Sequence, residues 1–326
     1  MPQPYTARRR TAVKAAVLLS AVLWTPAPAS AEAPTVVASI KPLHSLIVGV
    51  MTGIGSPSVL IAGGASPHAY SLRPSEARLL SRADLIFWVG DSMETFLQKP
   101  LHSLGRKAIV VKLSGTPGIR LLKSREGGPW DAHVDDEAPG HGHDKTQTEQ
   151  AHGVYDMHIW LGRDNAKAIV RTAVTALSKK DPPNAARYRK NGQGVIARID
   201  STFRAIDTQL APVRSTPYFV FHDAYQYFER DHRLNAAGSI STHEARKPGA
   251  KRLSEIRAKL LSHGIRCVFA EPQFEPALVK TIIGGTPAKS GVLDPLGAKL
   301  AAGPDMYFLL LNGLAKNLKD CLTNAS

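Results

Sequence analysis

The chain has 326 residues, of which 43% are hydrophobic and 21% charged, with a formal net charge of +14. That length allows two domains of ordinary size and a substantial buried core. The Lys and Arg residues are scattered, with no basic run interleaved with aromatics, so nucleic acid is not an expected partner and the excess reads as a solvated surface.

The first 31 residues stand apart. Arg8, Arg9, Arg10 and Lys14 precede the apolar run "AAVLLSAVLW", and "APASAEA" offers a small-residue cleavage site after Ala31. Residues 1–31 are therefore expected to be a cleaved secretory signal. General secretion is the expected route, with Arg9 and Arg10 leaving a twin-arginine route as the alternative. Removing those four cations leaves +10 on the mature chain. No later segment approaches the roughly 20 apolar residues of a membrane helix. No cysteine follows the cleavage site to carry a lipid. The expectation is a free, monomeric periplasmic protein without a membrane anchor.

Along the rest of the chain, short apolar runs alternate with longer helical patterns, which predicts an α/β fold. The first half has strand candidates "TVVASI", "DLIFWVG" and "KAIVVKL", with "RPSEARLLSRA" a helix before the second. A polar tract over 131–153 follows. Then "RDNAKAIVRTAVTALSK" predicts a helix capped by Asp164 with Ile169, Ala173, Val174 and Leu177 on one face. In the second half the strands are "PYFVFH", "RCVFAE" and "KSGVLD", and the helices are "GAKRLSEIRAKLLSHG" and "MYFLLLNGLAKNLKDCL".

Between the halves, Ile196, Ile199, Phe203, Ile206 and Leu210 recur at steps of three and four, although Gly192 and Gly194 weaken the first turn. A helix over 187–211 would be roughly 37 Å long. Such a connection predicts two similar lobes, each a mainly parallel sheet flanked by helices, that rock only slightly about one long backbone helix. The expected boundaries are 32–183 for the first lobe, 184–211 for the linking helix and 212–326 for the second lobe.

Export also bears on the two cysteines. In an oxidising compartment a lone pair of thiols is more often a staple than a reactive site, so Cys267 and Cys321 are expected to form a disulfide worth about 4 kcal/mol of chain entropy.

Twelve histidines invite a metal hypothesis. The stretch "HVDDEAPGHGHDKTQTEQAH" places His133, His141, His143 and His152 near Asp135, Asp136 and Glu137, yet its Pro, Gly and polar content is ill suited to a fixed geometry. His44, His102, His232, His243 and His263 have no suggestive context. Three others do. His222 ends the strand "PYFVFH", and open α/β sheets gather ligands at the carboxyl ends of their strands. His68 lies in the stiff loop "GGASPHAYSLRP". His158 lies in the apolar "YDMHIWL", where an imidazole needs a bond or a metal.

The segments "GASPHAYSLRPSEARLLSRADLIFWVG", "DMHIWL", "YFVFHDAYQYFE", "PGAKRLSEIR", "CVFAEPQF" and "VLDPLG" resemble, in order, the signature segments of the ZnuA-type periplasmic zinc-binding proteins of ABC transporters. The resemblance implies two α/β lobes with zinc in the cleft between them. It implies His68, His158 and His222 as ligands and Cys267–Cys321 as the family's disulfide. It also implies capture of Zn2+ as transported ligand, with an inner-membrane ABC permease and its ATPase as partners and a periplasmic zinc chaperone as a further one. Relatives carry Glu before the first histidine where this chain has Pro67, which leaves Asp294 or a water as the fourth ligand. The 131–153 tract falls where the family inserts a mobile His-rich loop, and is expected to act as a weaker secondary zinc collector.

Three imidazoles and one oxygen suit zinc better than manganese, which favours more carboxylate. A manganese or iron receptor of the same family is the nearest alternative. A zinc hydrolase would also have three histidines and an open position, with Glu271 or Glu275 as base and Asp223 orienting a ligand. The chain has no H-E-x-x-H and no H-x-E followed by C-x-x-C, so no enzyme activity is expected. A surface adhesin of this fold is disfavoured by the missing lipid-bearing cysteine.

Overall fold

The computed structural model describes Met1 and residues 32–125, 130, 154–241, 250–274 and 276–323. The signal expected over 1–31 and the collector tract, with His133, His141, His143 and His152, lie outside the described residues. So do His243 and Glu275.

The first half begins with the apolar strand β1 (Val36–Ile40), which runs directly into α1 (Lys41–Met51), and Pro42 is accommodated in the first turn of that helix. It continues with β2 (Ser58–Ile61), α2 (Pro74–Arg82), β3 (Leu85–Trp88), α3 (Gln98–Ser103) and β4 (Ile109–Lys112). A short antiparallel ribbon, β5 (Leu122–Lys123) against β6 (Tyr155–Asp156), brackets the tract. Two helices follow, α4 (Arg163–Lys180) and α5 (Ala185–Leu210). The second half comprises β7 (Tyr218–His222), α6 (Gln226–His232), β8 (Ala236–Ser241), α7 (Ala250–Ser262), β9 (Cys267–Ala270), α8 (Pro276–Ile283), β10 (Lys289–Val292) and α9 (Met306–Thr323).

The eight long strands form two parallel sheets, ordered β2-β1-β3-β4 and β10-β9-β7-β8. Counted within its own half, each sheet has the order second, first, third, fourth. Parallel strands covered on both faces read as unbroken apolar runs, and β7 illustrates why. Tyr218 and Val220 join the main core, whereas Phe219 and Phe221 pack with Ile240, Ile256 and Val268 in a second cluster on the opposite face.

The long helix α5 extends over 26 residues, about 39 Å, and buries Tyr188, Val195, Ile199, Phe203, Ile206 and Leu210. It packs against α1, α4 and α9. Gly192 does not interrupt it: a Cβ there would approach Val174 Cγ2 to 2.5 Å, so the glycine lets α4 and α5 draw close. Asp164 is not the cap of α4. Gly162 takes that position, and Asp164 sits in the first turn, 3.0 Å from Lys167 Nζ, where its charge complements the helix N-terminus. The helix starts two residues earlier than the pattern suggests, and there the Arg163 amide donates to Asp231 Oδ2 at 2.6 Å. Cys267 and Cys321 are joined, tying α9 to the first residue of β9 across a Cα separation of 6.2 Å.

Several hydrogen bonds stitch the halves together. Trp160 Nε1 donates to Pro295 O at 2.8 Å, and Tyr307 OH donates to Trp160 O at 2.7 Å. Lys41, only 3% exposed, reaches the carbonyls of Gly297, Ala298 and Leu300 at 2.5, 2.9 and 3.1 Å.

Candidate metal centre

Each of the three singled-out histidines arrives on a different piece of local structure. His68 lies in a single 3-10 turn, Pro67–Ala69, whose start is fixed by Pro67 and by Ser66 Oγ, which accepts the His68 amide at 3.2 Å. His158 immediately precedes the 3-10 turn Ile159–Leu161, whose three side chains are fully buried. His222 is the last residue of β7, at the carboxyl end of the sheet.

The three meet. One ring nitrogen from each lies within 4.8 Å of the others, and among the described residues this is the group of metal-ligand side chains that converges in this way. The ring centroids of His158 and His222 are 4.9 Å apart, and His68 is 5.5 and 5.7 Å from them. His158 and His222 are 6% and 7% exposed, while His68 is half-buried.

Carboxylates stand behind two of the rings. Asp156 Oδ1 accepts the His158 amide at 2.9 Å and lies 2.8 Å from His158 Nδ1. That contact directs the Nδ1 proton to Asp156 and leaves the Nε2 lone pair for a metal. Glu271 Oε1 lies 3.4 Å from His222 Nδ1 and stands just beyond β9. Burial raises the Asp156 carboxyl to about 7 and also raises Glu271, each opposed by its polar neighbours. A cation at the centre would favour the ionised form of both.

Burial, reinforced by His222, holds the His158 imidazole well below its ordinary pKa. Neutral imidazole is the ligand form, so the environment prepares this ring for a metal. Around this shell, Tyr227 OH donates to Asp156 O at 2.6 Å, and Arg125 pairs with Asp223, next to His222, and with Glu229 at 2.8 Å. Arg125 also lies 3.5 Å over the Trp130 ring.

Asp294 is placed differently. Its Oδ1 accepts from the amides of Leu296 and Gly297 at 3.1 and 2.9 Å and from Gln273 Nε2 at 3.2 Å, and its Oδ2 accepts from Ala298 at 2.6 Å. It is outside the converging histidine group. Of the histidines without sequence context, His44 is buried with Nε2 3.0 Å from Pro57 O, His102 and His263 are exposed, and His232 is buried away from the centre between Phe203 and Phe228. Asp156 and Arg125 were not anticipated from sequence. The Asp-x-His spacing of "DMH" is the signal that points to the first. Arg125 acts across a separation of 98 residues, for which no local signal exists.

The family model for "ZnuA: Zinc-uptake complex component A periplasmic" matches residues 36–321. The chain belongs to this family. It is 45% identical over 315 residues to the high-affinity zinc uptake system protein ZnuA of Brucella suis biovar 1 (strain 1330), covering 90% of this chain and 92% of that one. It is 36% identical to the ZnuA of Yersinia pestis over 312 residues, covering 95% and 98%. Among solved structures, it is similar to a crystal structure of ZnuA with a TM-score of 0.74 at 23% identity, covering 89% of this chain and 99% of the other. A manganese-bound periplasmic metal-binding protein from Candidatus Liberibacter asiaticus has nearly the same likeness, with a TM-score of 0.71 at 19% identity, covering 89% and 99%. The fold is thus shared with a manganese-bound protein, so the fold alone does not select the metal.

Proposed function

We propose that this chain is a periplasmic receptor that captures Zn2+ at His68, His158 and His222 and delivers it to an inner-membrane ABC permease driven by its ATPase. The observation that carries the reading is the convergence of three imidazole nitrogens within 4.8 Å, drawn from both halves of the chain. Three imidazole nitrogen donors, two of them backed by carboxylates, favour zinc over manganese, which prefers an oxygen-rich, higher-coordinate site. The curated relatives named for high-affinity zinc uptake support the same cargo.

A solvent molecule completes the coordination in this reading, because both Asp294 oxygens already accept hydrogen bonds from its own turn. An open position suits a carrier, which must release what it binds. Zinc here is cargo and the chain turns over no substrate. The receptor acts as a monomer in the periplasm after removal of residues 1–31, and a periplasmic zinc chaperone can load it. The tract with His133, His141, His143 and His152 serves as a weaker collector, its histidines and acids lying in a sequence rich in Pro, Gly and polar residues.

A competitive zinc titration with stoichiometry tests this on the metal-stripped mature chain and on a variant lacking 131–153. The expected result is one tight site in both, with only weaker sites lost on deletion. Loss of the tight site with the tract would overturn the assignment.

A further inference from the structure

A cavity of about 650 Å3 lies where the start of α4, the last third of α5 and the end of α6 meet, away from the three histidines. Four arginines line it: Arg163, Arg204, Arg230 and Arg233. The acidic groups of the wall are Asp207 and Asp231, and both are engaged. Asp207 pairs with Arg214 Nη2 at 2.5 Å, outside the cavity, and more loosely with Arg233 Nη2 at 3.9 Å within it, and Asp231 accepts the Arg163 amide at 2.6 Å. Among the described residues the Arg204 and Arg230 guanidinium groups form no ion pair.

The floor supplies a second, independent observation. His232 lines the cavity, is 1% exposed, and has no hydrogen-bond partner on either ring nitrogen. Its Nδ1 is 3.6 Å from Asp207 Oδ1, beyond hydrogen-bond length. The ring is held by apolar contacts, stacked on Phe203 at 5.3 Å and edge-on to Phe228 at 4.6 Å. Burial lowers its pKa to about 4, so at neutral pH it is an uncharged ring with one N–H to donate. A buried polar ring with no partner is costly unless something enters to bond it. Like-charged guanidinium groups around one hollow likewise favour an anion between them.

We propose that this cavity is a binding site for a small dianionic oxygen ligand, a phosphate or a dicarboxylate, gripped by Arg204 and Arg230 and seated on His232. Guanidinium forks match paired oxygens, which monatomic chloride cannot supply. A volume of this order holds a compact small molecule. The site is separate from the zinc reading and stands or falls without it.

The test is calorimetric titration of the metal-free full chain with inorganic phosphate and, separately, with succinate, at ionic strength held constant with chloride. Saturable one-to-one binding of at least one of them is expected, and which one binds identifies the source of the anion. The double variant Arg204→Gln/Arg230→Gln should weaken that binding at least tenfold while keeping its affinity for zinc. Thr208→Trp, which fills the cavity without removing a charge, should weaken it as well. Absence of saturable binding by both probes overturns the proposal, as does equal binding by the double variant and the parent.

Discussion

The two sheets share one strand order, yet the carboxyl ends of their strands do different work. In the second sheet the first strand ends in His222, a proposed donor of the metal centre, with Glu271 behind it just beyond the third strand. In the first sheet the first strand leads into Lys41, which is driven into carbonyls of the second half. There the fully buried glutamate is Glu94, which accepts from Ser39 Oγ, Val89 N and Gly90 N at 2.5, 3.1 and 2.9 Å. The end of the first strand therefore carries a proposed ligand in one lobe and a lobe-to-lobe contact in the other. What differs is the side chain at the strand end, since the strand order is the same in both sheets.

The sharpest way to break that contrast is to remove the donor. His222→Ala is expected to weaken zinc binding about a thousandfold, roughly 4 kcal/mol, in a competitive titration. Binding equal to the parent would take the second sheet out of the centre altogether.

A second effect belongs to the first sheet. Burial raises the Glu94 carboxyl from 4.5 to about 7, against the pull of its three donors. The folded state then holds this proton more tightly than the unfolded chain. The contribution to stability is full below about pH 4.5 and is lost as pH rises through about 7, a change of about 3 kcal/mol. Glu94→Gln cannot titrate, so its stability relative to the parent should rise over that window in denaturant unfolding of the metal-free protein. A difference that stays flat with pH contradicts this account.

Lys41→Met comes next. Burial lowers the Lys41 pKa, with Asp294 opposing, and three carbonyls would lose their donor. A loss of about 2 kcal/mol in unfolding free energy is expected. If stability is unchanged, the lysine does not lock the lobes.

The smallest effect concerns the carboxylates behind the rings. Asp156→Asn and Glu271→Gln should each weaken zinc binding about tenfold while leaving the stoichiometry intact. If only one of the two matters, the lobes support their histidines unequally.

Much of this is legible in the sequence. The apolar runs of β1, β3, β7 and β9 stand out because strands buried on both faces tolerate little else. The stripe from Ile196 to Leu210 announces α5 for the same reason at a period of 3.6. The sequence misplaces the start of α4 by two residues because an acidic residue near a helix N-terminus looks alike whether it caps or merely sits in the first turn. Gly192 looked like a weakness because propensity is local, whereas its use is to admit Val174 of a neighbouring helix.

By itself the sequence determined the alternation of strands and helices, the long central helix, the likeness to a zinc-receptor family, and the residue types able to bind metal. These follow from local periodicity and from short motifs whose members are close along the chain. Only the tertiary structure decided that histidines separated by 90 and 64 positions stand within 4.8 Å, that Asp294 turns its oxygens to its own loop, and that Arg125 reaches Asp223. It alone gathered four arginines around His232. Such contacts depend on how helices and sheets pack in space, and packing joins residues without regard to their distance along the chain.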